Sequence, residues 1–231
     1  PSQYFGQLMV ERLGLKSNSL SFHPNGITMD GINPAENLPA SPTLGYLARL
    51  SPLKGLDLLV DAFIQLKDED KYEGLTLRIA GGMTDEDIPY VDEQRAKLTK
   101  AGLVDCVTIM PNISRKEKFE FLKNLSVFSV PARYPEAFGL YVIEALAAGI
   151  PVVLPNIGAF PEIVNATDGG RLYRSEDPNS LIESLDELLS QPAMSKSIGL
   201  KAHDFVIKEY ANERLSKRLV ENVLSPIMAN Q

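Results

Sequence analysis

From residue 43 onward, short apolar runs alternate with amphipathic stretches, and that rhythm constrains the fold more than any other feature of the chain. Thr43 to Leu50, Leu75 to Ala80, Val107 to Met110, Ser126 to Val130 and Val152 to Leu154 read as strands. Between them lie helical patterns. Gly55 to Lys67 places Leu56, Leu59, Val60, Phe63 and Leu66 on one face, and a charged helix runs from about Asp87 to Lys100. Ser114-Arg115-Lys116-Glu117 is a capping box that opens a helix to about Asn124. Gly139 to Ala148 follows, and Asp177-Pro178 opens a further helix to about Ser190. The last two helical patterns span about Ala193 to Lys208 and Asn212 to Val223. Short strands separated by helices of this length predict an α/β fold, a Rossmann-like parallel sheet with helices on both faces. Ligands of such sheets bind beyond the carboxyl ends of the strands, so functional residues are expected in the loops that follow strands.

The first 42 residues break the rhythm. Phe5, Leu8, Met9 and Leu13 share one helical face over Ser2 to Leu13, which ends at Gly14. A short strand is expected at Leu20 to Phe22, then a turn at His23-Pro24-Asn25-Gly26. Ile32 to Pro42 holds three prolines and no period, and reads as a connector. The chain opens at Pro1, in an amphipathic segment without the pattern of a signal peptide, which suggests a piece of a longer protein.

Composition removes several classes of function. Asp plus Glu outnumber Lys plus Arg by 30 to 23, a net charge of −7 without a basic stripe, so nucleic acid is not an expected partner. The single cysteine, Cys106, leaves no internal disulfide framework and no cysteine-rich zinc site. His23 and His203 lie far apart and lack neighbours that would complete a metal-ligand set, so no metal is expected. Ala137 to Phe160 carries only Glu144 as a charge and is long enough to span a bilayer. Gly139, Gly149, Pro151, Pro155 and Gly158 break it into helix, turn and buried strand.

Three groups at strand ends could carry chemistry. Arg49-Leu-Ser-Pro-Leu-Lys54-Gly55 puts two fixed cations beside a helix N-terminus, an arrangement suited to a phosphate or diphosphate and equally to two solvated charges near a turn. Pro135-Glu136-Ala-Phe138-Gly139-Leu140 leads into a helix whose only charge is Glu144. The eight-residue spacing of Glu136 and Glu144 is not distinctive, since Glu213 and Glu221 share it. A carboxylate in an apolar helix, however, needs a partner or a cleft mouth. A ribose diol suits it, because one carboxylate accepts from two hydroxyls, and a nearby Lys or Arg would serve as well. Gly158-Ala-Phe-Pro-Glu162 follows the last of the expected strands, where Glu162 also suits a helix dipole.

Together and in this order, the three groups resemble the C-terminal half of a GT-B fold glycosyltransferase of the family 4 type. Arg49…Lys54-Gly55 is similar to that family's Arg-x4-Lys-Gly signature, and Glu136…Glu144 to its E-x7-E motif, followed here by Ala-x-Ala-x-Gly-x-Pro-Val-Val. Pro111 and Ala137 stand where members commonly carry glycine. The resemblance implies transfer of a hexosyl group from a nucleotide-diphosphate sugar to an acceptor, with retention of configuration and without a required metal or other cofactor. Arg49, Lys54 and Glu136 would be catalytic. Gly55, Gly81, Met110, Ile113, Phe138, Gly139, Leu140 and Glu144 would bind the donor, with Glu144 on the ribose and Met110 to Ile113 along the base. Residues 1–33 would be the remnant of an N-terminal domain and the crossover, 34–42 a connector, 43–209 the nucleotide-sugar-binding domain and 210–231 a C-terminal helix. The acceptor would bind through the absent N-terminal domain, so the fragment is expected to be inactive alone. A cytoplasmic location is expected from the missing export signal and the supply of nucleotide sugars, with peripheral membrane contact left open. Rival readings are a nucleotide-sugar epimerase or a phosphorylase of the same fold, or a non-catalytic α/β nucleotide-binding module.

Overall fold

The computed structural model describes residues 1–16 and 20–225. Six parallel strands form one sheet in the order β3-β2-β1-β4-β5-β6. They are β1 (Thr43–Leu47), β2 (Thr76–Gly81), β3 (Val107–Pro111), β4 (Val127–Ser129), β5 (Val152–Pro155) and β6 (Gly170–Tyr173). The helices are α1 (Gln3–Leu13), α2 (Leu56–Asp68), α3 (Ile88–Lys100), α4 (Arg115–Lys123), α5 (Leu140–Ala147), α6 (Phe160–Thr167), α7 (Pro178–Leu189), α8 (Pro192–Tyr210) and α9 (Asn212–Leu219). A π-helical turn, Val220–Leu224, continues α9. Helix α2 packs on α3 and α7, whereas α8 packs on α5 and α6, so both faces of the sheet are covered. Strands buried on both faces explain the near-continuous apolar runs: every residue of β1, β4 and β5 is buried. Tyr46, Phe63, Phe121, Phe128 and Phe160 are the bulkiest side chains of this core.

Local chemistry sets the helix ends. Ser114 and Glu117 form both halves of the capping box at α4, and the Asp177 carboxylate accepts from Asn179 and Ser180 N–H at α7. Ser2 caps α1, and Gly14 ends it in the left-handed region at φ 62°.

Several expectations are corrected. The run Thr43 to Leu50 is strand only to Leu47; beyond it the chain still reaches Gly82, through Leu50 N–H to its carbonyl at 2.9 Å, but bends out of the ladder. Leu20 to Phe22 is not a strand: among the described residues it pairs with no strand, and Leu20 and Phe22 are exposed. His23 to Gly26 is extended rather than a turn; the turn falls at Asp30-Gly31, closed by Ile32 N–H to Met29 O at 3.0 Å. The extended segment instead brings Ile27 into a parallel bridge with Ala211, and a Cβ on Gly26 would meet Asn212 Oδ1 at 2.4 Å. β6 has no counterpart in the sequence reading, because four residues that include Gly170 and a half-buried Arg171 show no alternation. The stretch Ala137 to Phe160 divides into loop, α5, β5 and loop, and among the described residues no helix is long and apolar enough to cross a membrane. Part of the expected C-terminal helix segment, residues 226–231, lies outside the described residues.

Candidate functional site

The strand order reverses between β1 and β4, the switch point where sheets of this kind carry a ligand crevice at the carboxyl edge, and the loops that leave those two strands face each other there. One wall is the β1–α2 loop with Arg49, Lys54 and Gly55; the other is the β4–α5 loop with Glu136 and Gly139. The fold brings the backbones of all three groups seen in the sequence together, since Ala159 N–H of the third donates to Glu136 O at 2.9 Å and a Cβ on Gly158 would lie 2.6 Å from Glu136 N.

Gly55 caps α2 at φ 70°, and a Cβ there would lie 1.9 Å from the Pro131 carbonyl oxygen, so the two walls meet at a position open only to glycine. Gly139 caps α5 at φ 95°, where a Cβ would approach the Phe160 ring at 3.1 Å. In the first turn of α5, Val142 N–H donates to Gly139 O at 3.0 Å, and the N–H groups before it have no carbonyl partner inside the helix. Phe138 contributes only its backbone here, because its side chain is buried against Tyr210 at 6.0 Å between ring centroids. Leu140 is exposed at the start of α5.

Lys54 Nζ and Glu136 Oε1 form an ion pair across the crevice, with side chains 16% and 12% exposed. Tyr134 OH and Tyr141 OH each donate to the same Oε1 at 3.0 Å. The lysine ammonium lies 4.9 Å from the Tyr134 ring centroid and 5.2 Å from that of Tyr141. Burial pulls the Lys54 pKa down, but hydrogen bonds to Glu136 and Tyr134 outweigh it and leave it raised. Lys54 is thus a permanent cation.

Arg49 departs from this cluster. Its Nε pairs with Asp87 Oδ1 at 3.4 Å, and its side chain is 55% exposed. Hydrogen bonds from Thr84 backbone N–H, then from its hydroxyl and from Arg49, hold the Asp87 carboxyl below the usual range. Asp87 is buried but the Arg49 side chain is mostly exposed, and its 3.4 Å contact is long for a charge-assisted hydrogen bond, so the guanidinium is open to a stronger anion. Glu144 on α5 meets Lys118 of α4 in an ion pair through Oε1, the lysine partner that the sequence left as one option.

Gly81 and the Met110 to Ile113 loop come together at the ends of β2 and β3. Asn112, at φ 55°, donates its N–H to Gly81 O at 2.8 Å, while its side-chain amide exchanges two 2.9 Å hydrogen bonds with the Met83 backbone. A Cβ on Gly81 would lie 1.7 Å from Ala48 O, which keeps the β1 and β2 exits in contact. Glu162 does not face the crevice as a free carboxylate. It accepts the N–H groups of Gln3 at 2.9 Å and Tyr4 at 2.6 Å, and so caps α1, while Ser2 Oγ donates to Ala137 O at 2.6 Å.

A second tie across the crevice was not foreseen from the sequence. Arg133 donates its backbone N–H to Leu53 O at 2.9 Å and Nη1 to Pro52 O at 2.7 Å. Its fork also grips Asp57 at 2.7 and 2.5 Å, and Tyr90 OH donates to the same carboxylate at 2.7 Å. Burial would raise the Asp57 pKa, but the Arg133 and Tyr90 hydrogen bonds prevail and lower it.

The matched family model decides the relationship: Glycosyl transferases group 1, over residues 32–205, which takes in both walls of the crevice. The chain belongs to this family. A curated relative, the lipopolysaccharide core biosynthesis mannosyltransferase LpcC of Rhizobium leguminosarum, is 28% identical over 84% of this chain and 53% of its own length. The D-inositol 3-phosphate glycosyltransferase of Streptomyces avermitilis is 29% identical over 78% of this chain and 41% of its own. The chain thus spans about half the length of the curated relatives it matches. Among solved structures, the C-terminal domain of LpcC from Francisella tularensis aligns over 81% of this chain and all of its own, with 25% identity and a TM-score of 0.70. Anabaena HepE in complex with UDP and glucose aligns over 97% of this chain and 62% of its own, with a TM-score of 0.83 and 20% identity, which shows the shared fold.

Proposed function

We propose that the protein is the donor half of a retaining glycosyltransferase, holding a nucleoside-diphosphate sugar in the β1–β4 crevice for transfer to an acceptor seated on a second domain. The observation that carries this reading is the Lys54–Glu136 pair, a cation and a carboxylate from opposite walls at the switch point of the sheet. A diphosphate carries more charge than one carboxylate, so it draws Lys54 from Glu136 and Arg49 from Asp87. The N–H groups of Phe138, Gly139 and Leu140 add the positive end of α5. Together these groups stabilise charge on the leaving nucleotide, the electrostatic work a divalent metal would otherwise do. Glu136, freed from Lys54, takes a hydroxyl of the sugar. Glu144 takes the ribose diol, and the base lies along Met110 to Ile113 beside Gly81.

Two likenesses support a nucleotide-linked hexose as the donor in this reading: one relative is named a mannosyltransferase, and HepE was also solved with UDP-glucose. Residues 1–33 belong, in this reading, to the acceptor half, and turnover requires the rest of that half.

Calorimetric titration with UDP, GDP and ADP tests the reading. One nucleotide binds saturably, Arg49→Ala and Glu144→Ala each weaken it about tenfold, and EDTA leaves the affinity unchanged. Failure of all three nucleotides to bind, both in this chain and in a two-domain form, overturns it. Retention is checked separately by the anomeric proton coupling of the product formed by the two-domain form.

A further inference from the structure

The geometry points to Tyr134 and Tyr141 as positioning residues that fix how Glu136 meets the donor sugar; this rests on the proposed sugar contact of Glu136. Three donors converge on one oxygen of that carboxylate. Lys54, Tyr134 and Tyr141 all reach Oε1, and among the described residues no donor reaches Oε2. The three differ in what a bound donor does to them. Lys54 is the group that a diphosphate withdraws, whereas the two tyrosine hydroxyls stay. A carboxylate only 12% exposed would otherwise lose its partner just when it has to act. With two hydroxyls still donating to Oε1, it keeps its partners there and leaves Oε2 as the one acceptor for a sugar hydroxyl.

The two tyrosines are held firmly enough for this. Tyr141 lies in the first turn of α5, and its ring packs between Phe128 and Phe160 at centroid distances of 6.3 and 6.4 Å. Burial, and then the Glu136 charge, push its pKa well up, so it stays a hydroxyl donor. Tyr134 sits two residues before Glu136 on the same loop. Both ring faces also flank the Lys54 ammonium, so the same pair seats the cation when the site is empty.

The consequence is selectivity. A single oxygen accepts from one hydroxyl at one position, so the tyrosines govern affinity for the sugar and not for the nucleotide. The experiment reads the ratio of two dissociation constants, nucleotide sugar over nucleoside diphosphate, from UDP, GDP and ADP with UDP-glucose, GDP-mannose and ADP-glucose. Each variant is measured with the pair that binds best. Phenylalanine keeps both rings and their packing. The ratio is expected to rise about threefold in Tyr134→Phe or Tyr141→Phe and about tenfold in the double variant, as for loss of one and two hydrogen bonds. In a Glu136→Ala background the same changes leave the ratio where Glu136→Ala alone puts it. If Glu136→Ala raises the ratio in the wild-type background but the tyrosine variants do not, the positioning role is wrong and the sugar contact stands. If Glu136→Ala does not move the ratio, the sugar contact itself is wrong and the inference falls with it.

Discussion

Gly55 holds the two walls of the crevice together by having no side chain. A methyl group there would need space already taken by the Pro131 carbonyl, on a backbone at φ 70°. Gly55→Ala is therefore expected to cost about 2–4 kcal/mol, read as a drop of several degrees in thermal unfolding midpoint. Lys54, Glu136, Gly139 and Glu144 were legible in the sequence because each sits in a short motif whose chemistry is local. Their partners were not. Lys54 and Glu136 are 82 residues apart, and Arg133 and Asp57 are 76 apart, so each pairing exists only once β1 and β4 lie side by side. Tyr134 and Tyr141 read as ordinary aromatic residues, and Lys118 as one more charge on a basic helix turn. Glu162 was legible as a helix-end carboxylate, but the helix it caps is α1, 158 residues earlier.

At the scale of elements, Arg133 fastens the β4–α5 loop to the β1–α2 loop and sets the height of Lys54 above the sheet. If the proposed diphosphate site at Lys54 is right, Arg133→Met is expected to weaken binding of a nucleoside diphosphate about tenfold and that of the matching monophosphate less. Paired calorimetric titrations check the difference, and equal losses would mean general loosening instead. Helix α9 is the opposite case. Leu215 is its one buried residue among those described, so its amides should exchange with solvent well before those of α5, as hydrogen-exchange mass spectrometry would show. Helices with caps or strong faces were legible to within a residue or two. The expected strand at Leu20 to Phe22 and the missed β6 show the limit: a strand needs a neighbour, and four residues do not reveal whether one is present.

For the whole molecule, the sequence rhythm announced a parallel sheet covered on both faces, but not the order β3-β2-β1-β4-β5-β6. Order depends on which crossover turns back, and nothing in the run from β3 through α4 to β4 encodes that reversal locally. The reversal is what makes the crevice. Stability should follow the carboxyls held below their usual range: Asp57, Asp87 and Asp186, with Glu117 and Asp177 at exposed helix caps. Burial opposes ionisation of Asp186, but Lys71 and Tyr72 prevail. A lowered folded pKa adds stability that is fully present above the unfolded value near 4 and is lost as pH falls through the folded one. The urea midpoint should therefore be flat from neutrality to about pH 5 and decline below pH 4, with part of that decline removed in Asp57→Asn.

The bridge between Ile27 and Ala211 also governs how the molecule bears a mechanical load. Ile27 donates to Tyr210 O and accepts from Asn212 N–H, both at 3.0 Å, so the incoming and outgoing stretches of chain are buttoned together at one point outside the sheet. Tension applied between the two ends of the chain would peel α1 and α9 away and then open this button. Only afterwards would it reach β1. Because Ser2 Oγ holds Ala137 O in the β4–α5 loop, peeling α1 tugs on that wall of the crevice first, and a force trace should show a small early release well below the rupture of the sheet.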